Sequence, residues 1–311
     1  MNMAVVFPGQ GSQYIGMGKS FYETFEASKN IIERANEILG YDLKRIMFEG
    51  PEDELKLTFN TQPALLTCSI AIWEVVKDKI TPAAFAGHSL GEYTALVAAG
   101  GISFEDAVLA VHYRGKFMQE AVPVGTGAMA AVLGGDVKKI EALCEEISMG
   151  DTIVEPANYN CEGQLVVAGN KEAVEEFIKR VKDAGAKRTV LLPVSAPFHC
   201  SLMLPAQVKM KKYLENVKIS EVKIPVYNNV DAKIEYDSDT IKEALVRQVS
   251  GAVRWTDVIK NMIKDKIDTF VEIGAGNVLA GLIKKIDKSA KVFNISEIDD
   301  LQKDELKSLE R

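Results

Sequence analysis

Histidine is scarce in this chain: three in 311 residues, at 88, 112 and 199, leave few candidates for a general base. Cysteine is also rare, and Cys68, Cys144, Cys161 and Cys200 are scattered with no CxxC pair. That spacing excludes a zinc ribbon and a disulfide framework, so they read as buried or inert thiols in a reducing compartment. Acidic residues outnumber basic ones, 44 to 37, for a formal net charge of −7, and no dense basic segment carries interleaved aromatics. Generic nucleic-acid binding is therefore excluded. The first eight residues lack both a basic segment and a long apolar core, so they read as a first strand rather than a secretory leader. Residues 189–208 form the longest stretch without a formal charge, but Pro193, Pro197, Pro205 and His199 interrupt it. A proline-bounded loop at an active site fits that stretch better than a membrane span. Neither an internal repeat nor a low-complexity segment is present. A cytoplasmic monomer without a membrane or nucleic-acid partner is the expectation.

What the chain does contain is a steady alternation of strand-like and helix-like segments, with 47% hydrophobic and 26% charged residues. Such alternation implies an α/β fold with a mostly parallel sheet covered by helices on both faces. Strands are expected at 3–7 and 83–86, and helices at 28–39, 63–76, 92–99 and from Ser103, as N-cap, to about residue 121. The middle changes rhythm. Strands at 128–133, 152–157, 164–169 and 187–194 enclose helices at 137–147 and 171–184, a β-α-β-β-α-β order spanning about 70 residues, the ferredoxin-like pattern. Pro123, Gly125, Gly127 and Pro193 flank it as hinge positions. The expected organisation is a catalytic unit of residues 1–124 and 195–311 with an inserted unit of residues 125–194. The charged tail after residue 298 is expected to be mobile.

The most informative segment is Gly87-His88-Ser89-Leu90-Gly91, a Gly-x-Ser-x-Gly motif between a short apolar strand and a helix that Gly100-Gly101 would stop. That context is a nucleophile elbow, in which a serine sits on a tight strand-to-helix turn. The glycines let the helix pass close to the strand, and the helix N-terminus aims N–H groups at the oxygen of an attacked carbonyl. A serine needs a base. His88 adjoins it and should point away from its hydroxyl, while His112 lies inside the following helix as a packed or surface residue. His199, downstream in the proline-bounded loop, is the candidate base, against the plainer reading of a loop histidine. No Asp or Glu between Ser89 and His199 stands in a triad-like motif, so a backbone carbonyl or an amide could orient the imidazole instead.

Three further features bear on chemistry. Pro8-Gly9-Gln10-Gly11 follows the first strand, where the N–H of Gln10 could join that of Leu90 as an oxyanion donor; no Gly-Lys-Ser/Thr follows to make a phosphate loop. Arg114 lies in the fairly apolar run Val111-His112-Tyr113-Arg114-Gly115. It could form a surface ion pair or place its guanidinium in the pocket to fork onto a substrate carboxylate. Gly274-Ala275-Gly276-Asn277 lacks the following βαβ unit and acidic partner of a dinucleotide fingerprint, and reads as a close-packed turn.

Taken with Thr61-Gln62-Pro63-Ala64, Tyr113-Arg114-Gly115-Lys116-Phe117-Met118, Ser195-Ala196-Pro197-Phe198-His199, Val246-Arg247-Gln248 and Val253-Arg254-Trp255, these segments resemble the malonyl-CoA:acyl carrier protein transacylase family over nearly the whole chain. The resemblance implies an α/β-hydrolase-like core carrying a ferredoxin-like insertion. It implies malonyl transfer from malonyl-CoA to the phosphopantetheine thiol of holo acyl carrier protein, through a malonyl-serine at Ser89. His199 would be the base, the main-chain carbonyl of Gln248 would orient it, and Gln10 and Leu90 would form the oxyanion hole. Arg114 would hold the malonyl carboxylate, with Gln62, Met118 and Phe198 lining the substrate pocket. The bulk of Phe198 favours malonyl over methylmalonyl. Neither a cofactor nor a metal is implied. Motif and base alone also suit a serine thioesterase, and the same chemistry serves a freestanding polyketide acyltransferase. The acidic carrier would dock on local positive charge near Lys187 and Arg188, or Lys209, Lys211 and Lys212, unless these are solvated faces.

Overall fold

A computed structural model of the chain describes residues 2–194 and 196–303. Ser195, at the expected resumption of the larger unit, and residues 304–311 of the tail lie outside the described residues. Two sheets organise the fold. The first is built from β1 (Met3–Phe7), β2 (Ala84–Gly87), β7 (Val226–Tyr227), β8 (Ile234–Glu235), β9 (Thr269–Ile273) and β10 (Lys291–Ile295), in the spatial order β10-β9-β1-β2-β7-β8. All its pairings are parallel except β7 with β8. β1 is buried at every position, as its unbroken apolar sequence requires of a strand covered on both faces. The second sheet is formed by β3 (Gly127–Gly134), β4 (Val154–Cys161), β5 (Gln164–Asn170) and β6 (Ala186–Leu191), in the order β4-β5-β3-β6, and is antiparallel throughout. The fold is thus α/β, with one mixed sheet and one antiparallel sheet.

Several sequence expectations shift at their edges. The helix expected from residue 63 begins earlier, spanning Thr58–Val76 with Pro63 inside it. Pro63 has no N–H for the carbonyl of Phe59, and that carbonyl instead accepts from Nδ1 of His112 at 2.9 Å. His112 is therefore a packed residue that satisfies a backbone group a proline would have orphaned. The helix expected at 171–184 divides into an α-helix, Lys171–Arg180, and a 3₁₀ turn, Val181–Ala184. The last strand of the second sheet ends at Leu191, freeing residues just beyond it to line a cleft. Ser103 caps the helix Phe104–Glu120, accepting from the N–H of Asp106 at 3.0 Å. Instead of a wholly loose tail, Ile298–Gln302 forms a 3₁₀ turn closed by a capping box between Glu297 and Asp300.

The two sheets are stitched together beside the cleft. The N–H of Val253 donates to the carbonyl of Ala157 and the N–H of Tyr159 to that of Val253, each at 2.9 Å, so a segment between β8 and β9 extends the edge of β4. Glu155 of β4 accepts from both the N–H and the hydroxyl of Ser201 at 2.7 Å. Among the described residues, no helix is long and apolar enough to cross a membrane.

At the C-terminal end of β2 the chain turns into the helix Gly91–Ala98, which passes directly over β1. A Cβ on Gly87 would lie 1.9 Å from the carbonyl of Gly91, and one on Gly91 would lie 2.3 Å from the oxygen of Phe7. Only glycine permits this approach. Gly91→Ala is expected to destabilise the protein by about 1–3 kcal/mol, the usual cost of forcing an added methyl into a packed interior. Urea denaturation measures this as a lower midpoint, and an unchanged midpoint would contradict so close a crossing.

Candidate active site

Ser89 occupies the turn between β2 and the helix Gly91–Ala98 with φ of 53°, the left-handed region that a non-glycine residue enters only under constraint. Its hydroxyl is 2.7 Å from Nε2 of His199, whose own φ is 61°. Nδ1 of His199 faces the carbonyl oxygens of Gln248 at 3.0 Å and Gly251 at 3.1 Å. Carbonyl oxygens only accept, so Nδ1 carries the proton and Nε2 is left as the acceptor for the serine hydroxyl. Two main-chain oxygens thus do the orienting that an acid does elsewhere. Burial, then the charges of Arg114 and His88, pushes the His199 imidazole down to about 3. The ring is therefore neutral, with Nε2 unprotonated, under ordinary conditions.

Arg114 projects from the helix Phe104–Glu120 into the same place and is 1% exposed. Nη1 donates to Oε1 of Gln62 at 2.7 Å. Nη2 donates to Oε1 of Gln248 at 2.9 Å and to Oγ of Ser89 at 3.1 Å. Nε is buried with no partner among the described residues. Among the described residues the guanidinium's hydrogen bonds thus go to neutral oxygens, its carbon lies 5.9 Å from the centre of the Tyr93 ring, and burial lowers its pKa from the ordinary value. The carboxylate of Glu92 is linked to it indirectly, most briefly through Gln248, whose Nε2 donates to Glu92 Oε2 at 2.8 Å. Glu92 is itself 2% exposed, and burial pushes its carboxyl up to about 7. A buried cation with no direct counter-ion is costly, and it favours a ligand that brings a negative charge.

The remaining predicted residues also converge. Gln10, Leu90, Met118 and Phe198 line the cleft that holds Ser89 and His199, together with Gln62 and Arg114. Gln62 donates to Thr58 Oγ1 at 3.1 Å, and Thr58 in turn donates to Gln10 Oε1 at 2.8 Å. The guanidinium is thereby tied to the loop after β1. Around the turn, the N–H groups of Ser89 and Gly91 are bonded to Asn229 and to the carbonyl of His88. Neither the N–H of Leu90 nor that of Gln10 has an acceptor among the described residues, the condition an oxyanion donor must meet. His88 turns aside to pair through Nε2 with Asn160 at 2.9 Å.

Sequence reasoning misses several residues here. Asn229 holds the turn, Gly251 shares the imidazole proton, and Met129, Asn158, Leu192 and Val194 form the wall contributed by the second sheet and the segment after it. Their sequence carries no motif, because only the folded sheet brings them to Ser89. Gly274, at φ of 137°, makes the close turn expected of it. The N-terminus of the following helix is taken by Glu272, which accepts from the N–H groups of Leu279 at 3.1 Å and Ala280 at 2.8 Å. A carboxylate of the protein thus occupies the place where a dinucleotide phosphate would sit. No group of side chains suited to a metal is found among the described residues.

A family model described as an acyl transferase domain matches residues 4–309. The chain belongs to the acyl transferase family. It is 46% identical over 301 residues to the malonyl CoA-acyl carrier protein transacylase of Bacillus subtilis, covering 96% of this chain and 95% of that one. The protein of the same name from Escherichia coli K12 is 48% identical over 285 residues, covering 91% and 92%. Among solved structures, the malonyl-CoA:acyl carrier protein transacylase of Xanthomonas oryzae superposes with a TM-score of 0.96 at 39% identity, covering 100% of both chains. A malonyl-transacylase solved in complex with a type II polyketide acyl-carrier protein gives 0.94 at 45% identity, covering 97% and 98%.

The depressed basicity of His199 has a direct signature. Imidazole NMR resonances at pH 5 should show this ring still neutral with its proton on Nδ1, where an ordinary histidine, titrating near 6.5, is almost fully protonated. Loss of that resonance in His199→Gln assigns it. A charged His199 ring at pH 5 would refute the burial argument.

Proposed function

We propose that this chain transfers the malonyl group of malonyl-CoA to the phosphopantetheine thiol of holo acyl carrier protein, supplying fatty acid elongation. The observation that carries this reading is Arg114, a buried guanidinium with no carboxylate bonded to it among the described residues, 3.1 Å from the hydroxyl of Ser89. Its fork suits the free carboxylate of a malonyl group, whereas a simple acyl chain would leave the charge buried and unanswered. The names of the relatives point to the same substrates.

In this mechanism Nε2 of His199 takes the hydroxyl proton as Oγ of Ser89 bonds to the thioester carbon. The resulting oxyanion is held by the N–H groups of Gln10 and Leu90. Its collapse breaks the carbon–sulfur bond, and the departing CoA sulfur takes the proton back from the imidazolium. The carrier thiol then repeats the sequence in reverse on the malonyl-serine, giving ping-pong turnover. Substrate also prepares the base. Arg114 is one of the charges that hold His199 down, and a carboxylate bound to Arg114 cancels it, so the imidazole gains basicity when the correct acyl group is seated. The chemistry needs neither metal nor cofactor. Gln62 holds Arg114, while Met118 and Phe198 limit the room beside the acyl group, Phe198 against an α-methyl branch.

The antiparallel order β4-β5-β3-β6, with its two intervening helices, supports reading residues 125–194 as a ferredoxin-like insertion in an α/β-hydrolase-like core of residues 1–124 and 195–311. Four buried, unpaired cysteines accord with a cytoplasmic location, and a monomer completes the reading. Lys187, Arg188, Lys211 and Lys212 are exposed and would meet an acidic carrier, while Lys209 pairs with Glu120 at 3.0 Å.

Arg114→Ala should lower kcat/KM for malonyl-CoA by about 10²-fold or more, as expected when one partner of a buried charge pair is removed. Acetyl-CoA turnover should fall far less. Equal losses on both thioesters would overturn the pairing. Intact-mass measurement after mixing with malonyl-CoA should show a malonyl adduct that Ser89→Ala lacks. Rapid release of free malonate without carrier thiol would favour a hydrolase.

A further inference from the structure

The backbone of Ser89 is strained, and something must keep it from relaxing. Its carbonyl oxygen accepts from Nε2 of Gln248 at 2.9 Å and from the N–H of Glu92 at 3.0 Å. Its N–H donates to Oδ1 of Asn229 at 2.6 Å. The second arm of the same amide, Nδ2, donates to the carbonyl of Gly87 at 2.8 Å. Asn229 therefore bridges the residues on either side of His88, closing the turn across its base. The bridge is itself fastened, because the N–H of Asn229 donates to Oε2 of Glu92 at 2.8 Å and its carbonyl accepts from the N–H of Arg254 at 2.9 Å. Asn229 is fully buried, so water cannot substitute for either arm.

We propose that Asn229 is a positioning residue for the nucleophile: its amide clamps the Gly87 carbonyl and the Ser89 N–H, holding the serine in its left-handed conformation with Oγ on His199 and the Leu90 N–H turned into the cleft. Release of the clamp lets the Ser89 peptide rotate toward ordinary backbone angles, which moves the hydroxyl off Nε2 and swings the neighbouring oxyanion donor away together. Errors of this size, about 1 Å at a reacting group, typically cost about 10²-fold in rate.

The inference deepens the transacylase reading, and its test is chosen to be independent of it. A fluorophosphonate probe reports the reactivity of Ser89 toward an electrophile with no carboxylate, so it reads the serine and its base whatever acyl group the enzyme uses. Asn229→Leu, which keeps the approximate shape and removes both arms, is expected to slow phosphonylation and acylation by malonyl-CoA alike, each by about 10²-fold. The affinity for malonyl-CoA, measured in the Ser89→Ala background, should be unchanged. Phosphonylation at the unaltered rate by a folded Asn229→Leu protein would overturn the proposal.

Asn229→Asp gives a second readout, which serves also where the leucine variant does not fold. With its carboxyl protonated, the substituted side chain donates to the Gly87 carbonyl and accepts from the Ser89 N–H, as the amide does. Ionised, it sets a second acceptor against the Gly87 carbonyl. Reactivity of Asn229→Asp should therefore be near normal at low pH and fall as pH rises, relative to the unsubstituted protein. The charged and titratable groups around this position are Glu92, Glu235, Arg114, Arg254, His88 and His199, and the unsubstituted protein run in parallel subtracts their titrations. A uniform loss at every pH would overturn the clamp in favour of a merely structural side chain.

Discussion

The tight turn at Ser89 is the constraint to which the surrounding structure is fitted. A strand must end and a helix begin within a few residues, and the serine between them must adopt a backbone conformation it would not choose alone. Its neighbours offset that cost. Gly87 and Gly91 clear the path where two backbones pass, Asn229 and Gln248 bond to opposite sides of the serine, and Glu92 ties those two residues to each other. The reactive hydroxyl is thereby presented to the base without any motion of its own.

The electrostatics depend on the same few residues. Gln248 serves several partners at once, its main-chain carbonyl accepting from Nδ1 of His199, its side-chain oxygen accepting from Arg114, and its side-chain nitrogen donating to Ser89 and Glu92. An acidic residue in its place would neutralise Arg114 permanently and raise the basicity of His199 before any substrate arrived. A neutral amide holds the guanidinium in place yet leaves its charge for the ligand. That requirement accounts for an imidazole oriented by carbonyls rather than by a carboxylate.

How much of this can be read in the chain itself depends on how local each signal is. The nucleophile turn is legible because Gly87, Ser89 and Gly91 are close in sequence and keep a fixed spacing, although Gly91 is required by Phe7 of β1 and only Gly87 by its near neighbour. The β-α-β-β-α-β rhythm of the second sheet is legible because each segment is long enough to show its period. β7 and β8, two residues each, are too short to show one, and β10, with an exposed lysine at its start, gives only a weak signal. For Arg114 the residues alone leave surface and pocket both open, since the phase of a mostly apolar helix does not say which neighbour covers it. Asn229 and Gly251 have no signal at all. Their roles come from backbone geometry, across separations of 140 residues from Asn229 to Ser89 and 52 from Gly251 to His199.

The stitching between the sheets also limits how the cleft can be used. Ser201 is anchored to Glu155 on β4 only two residues beyond His199, and Val253 is zipped to the same strand. Any hinge-like parting of the two sheets would drag the imidazole away from the hydroxyl it must deprotonate. A bulky donor cannot be swallowed by widening the gap. It must stay outside and thread a slender flexible tether through a fixed doorway, so reach belongs to the visitor rather than to the enzyme.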